Sequence, residues 1–310
     1  MHPRHFWALA LVPLLAGCGE SSSSSTGTTS GGPMDDVLAP PEIGMQLVTT
    51  KTKVEAGAEK YACWGFQVPA DADLDLVGFQ VQVQGAGVHH YGIFTDSSGM
   101  SKGDDYECES MGITWGLVTG GGVGTPGVSF PEGTAMKLPA GRRLIVQLHM
   151  LNTSSDAVEI GEQRFNLIGA KPGSYEPVGL LIAGTLDINI PAHQKGVQAS
   201  GGCTLTDPME HIFAVFPHMH RLGTNITTTV STAGGAPKAV SNITWDFKDQ
   251  GIYEASSSAK VGDDVKVTCT YDNATDKDVK FGLHSGDEMC VDVLYHYPAK
   301  EPAKYCGIGD

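Results

Sequence analysis

A chain of 310 residues carrying 40 glycines and a formal charge of −15 narrows the possibilities before any motif is read. A surface this acidic repels phosphate backbones, so nucleic acid is not an expected partner. The length suffices for two domains of ordinary size, and glycine at this abundance suits a turn-rich all-β protein.

The first segment is an address, set aside before any fold is considered. Arg4 precedes a short apolar run, Trp7 to Ala16, which is too brief to cross a bilayer as a helix. The run ends in Leu15-Ala16-Gly17-Cys18, which resembles the lipobox of bacterial lipoproteins and implies cleavage before Cys18 and lipidation of that residue. Residues 1–17 therefore read as a lipoprotein signal peptide, and 18–40, rich in Ser, Thr and Gly, as a flexible tether. Gly19 permits sorting to the outer membrane. The expected location is the bacterial cell envelope, with the body lipid-anchored to a membrane and facing the periplasm or the surface.

Beyond the tether the strand signals dominate. Val77-Gly78-Phe79-Gln80-Val81-Gln82-Val83-Gln84 alternates apolar with polar, the period of a half-buried strand. Leu144 to Leu148, Ile212 to Phe216, Val265 to Thr270 and Val291 to Tyr295 predict further strands. Clusters such as Asp96-Ser97-Ser98-Gly99, Gly120-Gly121-Gly122 and Asp272-Asn273 separate them. No long stretch carries a helical period. Short strands with regular turn punctuation predict an all-β sandwich or barrel architecture. The break at Ala170-Lys171-Pro172-Gly173-Ser174 divides the body into 41–170 and 171–310.

Apart from Cys18, six cysteines remain: Cys63, Cys108, Cys203, Cys269, Cys290 and Cys306. An even set in an exported chain predicts three disulfides, whose pairing spacing alone leaves open. No C-x-x-C pair is present, and cysteines sealed in disulfides leave metal chemistry to His, Met and carboxylates. Several histidines and one methionine then form a candidate donor set. His89 and His90 are adjacent, so both can reach one metal only if the strand bends or bulges there. The nearby Gly85, Gly87 and Gly92 make such a bend feasible. His149 ends an apolar strand, where a lone histidine is ordinarily a hydrogen-bonded core residue. His218 and His220 are two apart on a β-type segment, which puts both rings on one face and sends Met219 into the core. Met289, in Gly286-Asp287-Glu288-Met289-Cys290, stands on a turn beside a cysteine; most buried methionines merely fill gaps. Three imidazoles suit one copper, whereas two imidazoles with a thioether suit a second, softer one.

Taken together, V-H-H, Q-L-H, H-M-H-R-L-G and D-E-M-C, spread in order between Cys63 and Cys306, resemble the copper type II, ascorbate-dependent monooxygenases, the family of peptidylglycine α-hydroxylating monooxygenase and dopamine β-monooxygenase. The resemblance implies two tandem jelly-roll-like antiparallel β-sandwich domains facing each other across a solvent-filled cleft. It implies two copper ions, one held by His89, His90 and His149 to pass electrons. The other, held by His218, His220 and Met289 as the catalytic centre, would bind O2. It also implies the disulfides Cys63–Cys108, Cys203–Cys306 and Cys269–Cys290, and ascorbate or another external one-electron reductant as co-substrate. The reaction expected is hydroxylation of a C–H bond. In the peptide-hydroxylating branch an arginine two residues before H-x-H anchors the substrate carboxylate, and here that position is Phe216. The branch's asparagine and tyrosine after the methionine become Val291 and Val293. A pocket of Phe216, Val291 and Val293 suits a small apolar or aromatic substrate rather than a peptide terminus.

Two other readings use the same residues: a non-catalytic copper-binding lipoprotein for storage or delivery, and a zinc-dependent jelly-roll protein, which the thioether disfavours. Among the remaining histidines, His284 could orient ligands through hydrogen bonds, and His211 would point away from His218 if strand alternation held. His193 and His296 read as ordinary. The oligomeric state leaves no mark on the sequence.

Overall fold

Two patterns of apolar residues sort the strands of this protein into outer and inner ones. In Asp264–Asp272 polar and apolar positions alternate, and burial alternates with them, because one face meets water. In Arg143–Leu151, Gly179–Thr185 and Cys290–Tyr297 nearly every residue is buried. Such strands are covered on both faces. A computed structural model describes residues 37–97, 106–108 and 115–308. The signal peptide, Cys18, most of the tether and Ser98-Gly99 of the turn expected after Asp96 lie outside these residues.

The fold is all-β, built from two β-sandwiches. In the first, a six-stranded sheet containing Leu74–Gln82 and Arg164–Gly169 covers a five-stranded sheet containing Glu59–Gln67, Arg143–Leu151, Val88–Asp96 and Trp115–Gly122. In the second, a five-stranded sheet is ordered Tyr253–Ala259, Met209–His218, Cys290–Tyr297, Gly179–Thr185, Ala303–Cys306. A four-stranded sheet containing Lys195–Thr204 and Asp264–Asp272 backs it. Every strand foreseen from the apolar runs is present. No helix among the described residues is long and apolar enough to cross a membrane.

The two five-stranded sheets meet face to face. Along Cys290–Tyr297, Leu294 and Cys290 belong to the core of the second sandwich, while Val291, Val293 and Tyr295 join the apolar cluster of the first. Phe216, Ala214, Leu180 and Ile182 join it as well. The solvent-filled cleft expected from the resemblance is therefore replaced by apolar packing around a small cavity. The physical reason lies in the residues of that face. Each large apolar side chain hidden from water contributes about 1.5–3 kcal/mol, so a face made of Phe, Val and Tyr is driven to closure. Gly120 allows the close approach: a Cβ there would come within 2.8 Å of the Phe216 ring.

Three disulfides close as the resemblance implied: Cys63–Cys108, Cys203–Cys306 and Cys269–Cys290. Cys203–Cys306 secures the last strand, which runs parallel to Gly179–Thr185 and sets Tyr305 beside Ile182.

Candidate metal centre

The first donor set is made by a β-bulge. His90 stands directly across from His149, but the next pair is Val88 with Met150, so His89 is the extra residue. The bulge turns two consecutive side chains toward one side, which a regular strand forbids. The Nδ1 atoms of His89 and His90 are 2.9 Å apart, and that of His149 lies 3.5 Å from His90 Nδ1. One ligand atom from each of the three rings lies within 4.8 Å of the others.

The outward nitrogens explain this convergence. His149 Nε2 donates to Glu59 Oε1 at 2.6 Å, and His89 Nε2 donates to the Phe247 carbonyl at 2.9 Å. With their hydrogens committed there, both rings present bare Nδ1 lone pairs to the centre, as metal-ligating imidazoles do. Tyr61 lies flat on His149, with centroids 4.2 Å apart.

The second set follows from strand register. His218 pairs with Val291 and Phe216 with Val293, so continuing the antiparallel register sets His220 opposite Met289. His218 Nδ1 donates to Gln250 Oε1 at 2.9 Å, and His220 Nδ1 donates to the Asp287 carbonyl at 3.1 Å. Both rings thus keep Nε2 as the free acceptor. His220 Nε2 is fully buried and has no hydrogen-bond partner. A buried acceptor without a donor costs about 1–3 kcal/mol, and a bound cation removes that penalty. Two imidazole nitrogens and a thioether at one cavity form a donor set that fits a soft metal.

Glu288 fixes the turn that carries these residues. Its carboxyl is fully buried and accepts from the backbone N–H of His220, Leu222 and Met289. Burial raises its pKa to about 7, against the lowering effect of those bonds. The Tyr271 hydroxyl donates to the Met289 carbonyl, and the Cys269–Cys290 disulfide follows immediately. Met219 packs in the second core, as the strand geometry predicts.

The two donor sets are neighbours. The His90 and His218 rings have centroids 4.9 Å apart. Both border a cavity of about 290 Å³, with His220, Met289, Phe216, Val291 and Val293 in its wall. Among the described residues, no lysine, arginine or carboxylate lines it. Burial pushes His89 and His220 down to about 4 and His90 and His218 well below the ordinary imidazole range. All four are therefore neutral near pH 7, the form that binds a metal.

Glu59 shows the opposite balance. Burial alone would raise its carboxyl, but the bonds from His149 and from the Ser285 N–H and hydroxyl bring it down to about 2. A depressed folded-state pKa stabilises the fold fully above the unfolded value of 4.5 and is lost as pH falls toward about 2. The metal-free protein should therefore lose stability across that window. Acid titration followed by circular dichroism should show a smaller loss in Glu59→Gln, and an identical profile in both proteins would contradict the assignment.

Glu59, Tyr61, Gln250 and Glu288 escaped the sequence reading. Only Glu288, adjoining Met289, left a local signal. The suggestion for His284 is not met: its ring stands edge-on to Tyr61 at 6.5 Å, while the neighbouring Ser285 holds Glu59. Strand alternation fails near His211, where register shifts flank Ile212, and its ring stacks on Tyr297.

Residues 177–308 match the family described as copper type II ascorbate-dependent monooxygenase, C-terminal domain. "DBH-like monooxygenase protein 1" of Mus musculus is 23% identical over 224 residues, covering 66% of this chain and 35% of that protein. The Homo sapiens protein of the same name is 22% identical over 223 residues, with the same two coverages. The chain spans about a third of the length of these curated relatives. A structure of the Macrobrachium rosenbergii nodavirus aligns with a TM-score of 0.21 and 11% identity, over 89% of this chain and 97% of that one. A likeness that distant carries no argument.

Proposed function

We propose that this chain, whose residues 177–308 match the copper type II ascorbate-dependent monooxygenase C-terminal domain, acts as a monooxygenase of that kind and hydroxylates a C–H bond of a small apolar or aromatic substrate. The observation that carries this reading is the shared wall of one cavity. His218, Met289 and the unpartnered Nε2 of His220 adjoin an uncharged, apolar pocket. His89, His90 and His149 would hold one copper through Nδ1. His218 and His220 would hold the other through Nε2, with the Met289 thioether. When bound, the copper pair supplies one-electron transfer and activation of O2.

The protein's own residues supply the rest. Glu59, Gln250 and the Phe247 and Asp287 carbonyls fix which ring nitrogens face inward. Glu288 sets the turn between His220 and Met289. The cavity wall is largely apolar, and Phe216, Val291 and Val293 favour an apolar guest. A carboxylate placed there would meet no cationic partner among the described residues, which is costly in so apolar a pocket. An external one-electron reductant, lipid anchoring through Cys18 and residence in the bacterial envelope complete the proposal.

The pocket yields a direct prediction. With ascorbate as electron donor, phenethyl compounds should drive O2 uptake and product formation faster than peptidylglycine does. Faster turnover of peptidylglycine would overturn the substrate class, and no reductant-dependent product with any compound would favour a copper store or carrier.

A further inference from the structure

Gln250 belongs by sequence to the second sandwich, between the strands Lys238–Thr244 and Tyr253–Ala259, yet it makes bonds to residues of both. Its backbone carbonyl accepts from Gly122 N at 2.7 Å and from Thr125 Oγ1 at 3.2 Å, both in the first sandwich. Those bonds do not involve its side chain, so they keep the segment docked whatever residue stands there. The side chain itself is almost fully buried, at 1% exposure. Its Oε1 accepts from His218 Nδ1 at 2.9 Å, and its Nε2 donates to the Phe247 carbonyl at 3.2 Å. That carbonyl also receives the His89 Nε2 hydrogen, and the Gln250 amide nitrogen lies 3.4 Å from His89 Nε2.

The orientation of the amide is settled by its surroundings. Reversed, it would set its oxygen against the Phe247 carbonyl oxygen, which accepts here from the amide N–H₂. A glutamine offers an acceptor at one end and a donor at the other, and both are used here. The acceptor fixes the tautomer of His218, leaving Nε2 as its lone-pair nitrogen. The donor holds the carbonyl that fixes His89 in the opposite tautomer, with Nδ1 bare.

We infer that Gln250 is a positioning residue for both donor sets, one side chain presenting His218 through Nε2 and steadying His89 through Nδ1. The metal part of this inference rests on the copper reading above; the tautomer part does not. The role also explains why this buried polar side chain occupies the interface between the two sandwiches.

The test compares wild type with Gln250→Leu, which keeps the volume but removes both polar ends, and with Gln250→Glu, which keeps an acceptor for His218. In the metal-free proteins, imidazole ¹⁵N NMR should show the Nδ1–H tautomer at His218 in wild type. It should shift toward Nε2–H in Gln250→Leu and return in Gln250→Glu. Titration with Cu(I) under anaerobic competition should show the site of His218, His220 and Met289 weakened by about 10–100-fold in Gln250→Leu, the usual cost of losing a residue that orients a ligand. Gln250→Glu should recover most of that affinity. An unchanged His218 tautomer in Gln250→Leu overturns the inference, as does an affinity loss that Gln250→Glu fails to recover. Wild-type protein that takes up no copper would contradict the copper reading instead, while the NMR comparison would still decide the role of Gln250.

Discussion

Replacing Met289 by alanine should suppress reductant-dependent product formation by at least ~100-fold while leaving copper at His89, His90 and His149. The magnitude follows from a comparison: losing a residue that only orients a ligand already costs about 10–100-fold, and here a ligand itself is removed. Met289 also contributes softness. A thioether favours Cu(I), so its loss should weaken the reduced state of that site more than the oxidised one. The protein should stay folded, since the Tyr271 bond goes to the Met289 backbone carbonyl and the Cys269–Cys290 disulfide stands beside it. Copper content and product yield measured on the same preparation check both parts. Retained product formation with one copper lost would remove Met289 from the catalytic role.

Glu288→Ala should be more disruptive than any ligand substitution. The carboxyl is fully buried and accepts three backbone N–H groups, from His220, Leu222 and Met289. Removing it strands those donors where water is scarce. An unsatisfied buried donor costs about 1–3 kcal/mol, so a loss of about 3–5 kcal/mol is expected after partial relaxation. The His220 and Met289 site should fail together with stability. Glu288→Gln, which retains one acceptor oxygen, should lose less of both. Chemical denaturation with and without copper measures the effect, and an alanine variant as stable as wild type would remove Glu288 from this role.

The legible part of the site was its periodicity. His218 and His220 sharing one face, Met219 in the core, and a required bulge at His89-His90 all follow from side chains that alternate along a strand. The structure supplies each of them, the bulge included. Runs such as Leu144 to Leu148 were readable as strands, but their burial on both faces depends on the other sandwich, which periodicity does not reveal. For that reason the closed interface differed from the cleft expected by resemblance.

The residues that orient the ligands were hidden for a related reason. Glu59 reaches His149 from 90 positions away, Gln250 reaches His218 from 32, and Glu288 reaches His220 from 68. Each is an ordinary polar residue until the fold brings its partner close. His211 shows the limit from the other side: strand alternation was the argument, and a local register shift defeats it.

The most direct measurement combines copper content with oxygen labelling. Protein isolated from its native host should hold two coppers per chain. With a reductant, ¹⁸O₂ and an aromatic substrate, it should form a hydroxylated product carrying one atom of ¹⁸O. One zinc with no copper, or a product lacking the label, would contradict the account.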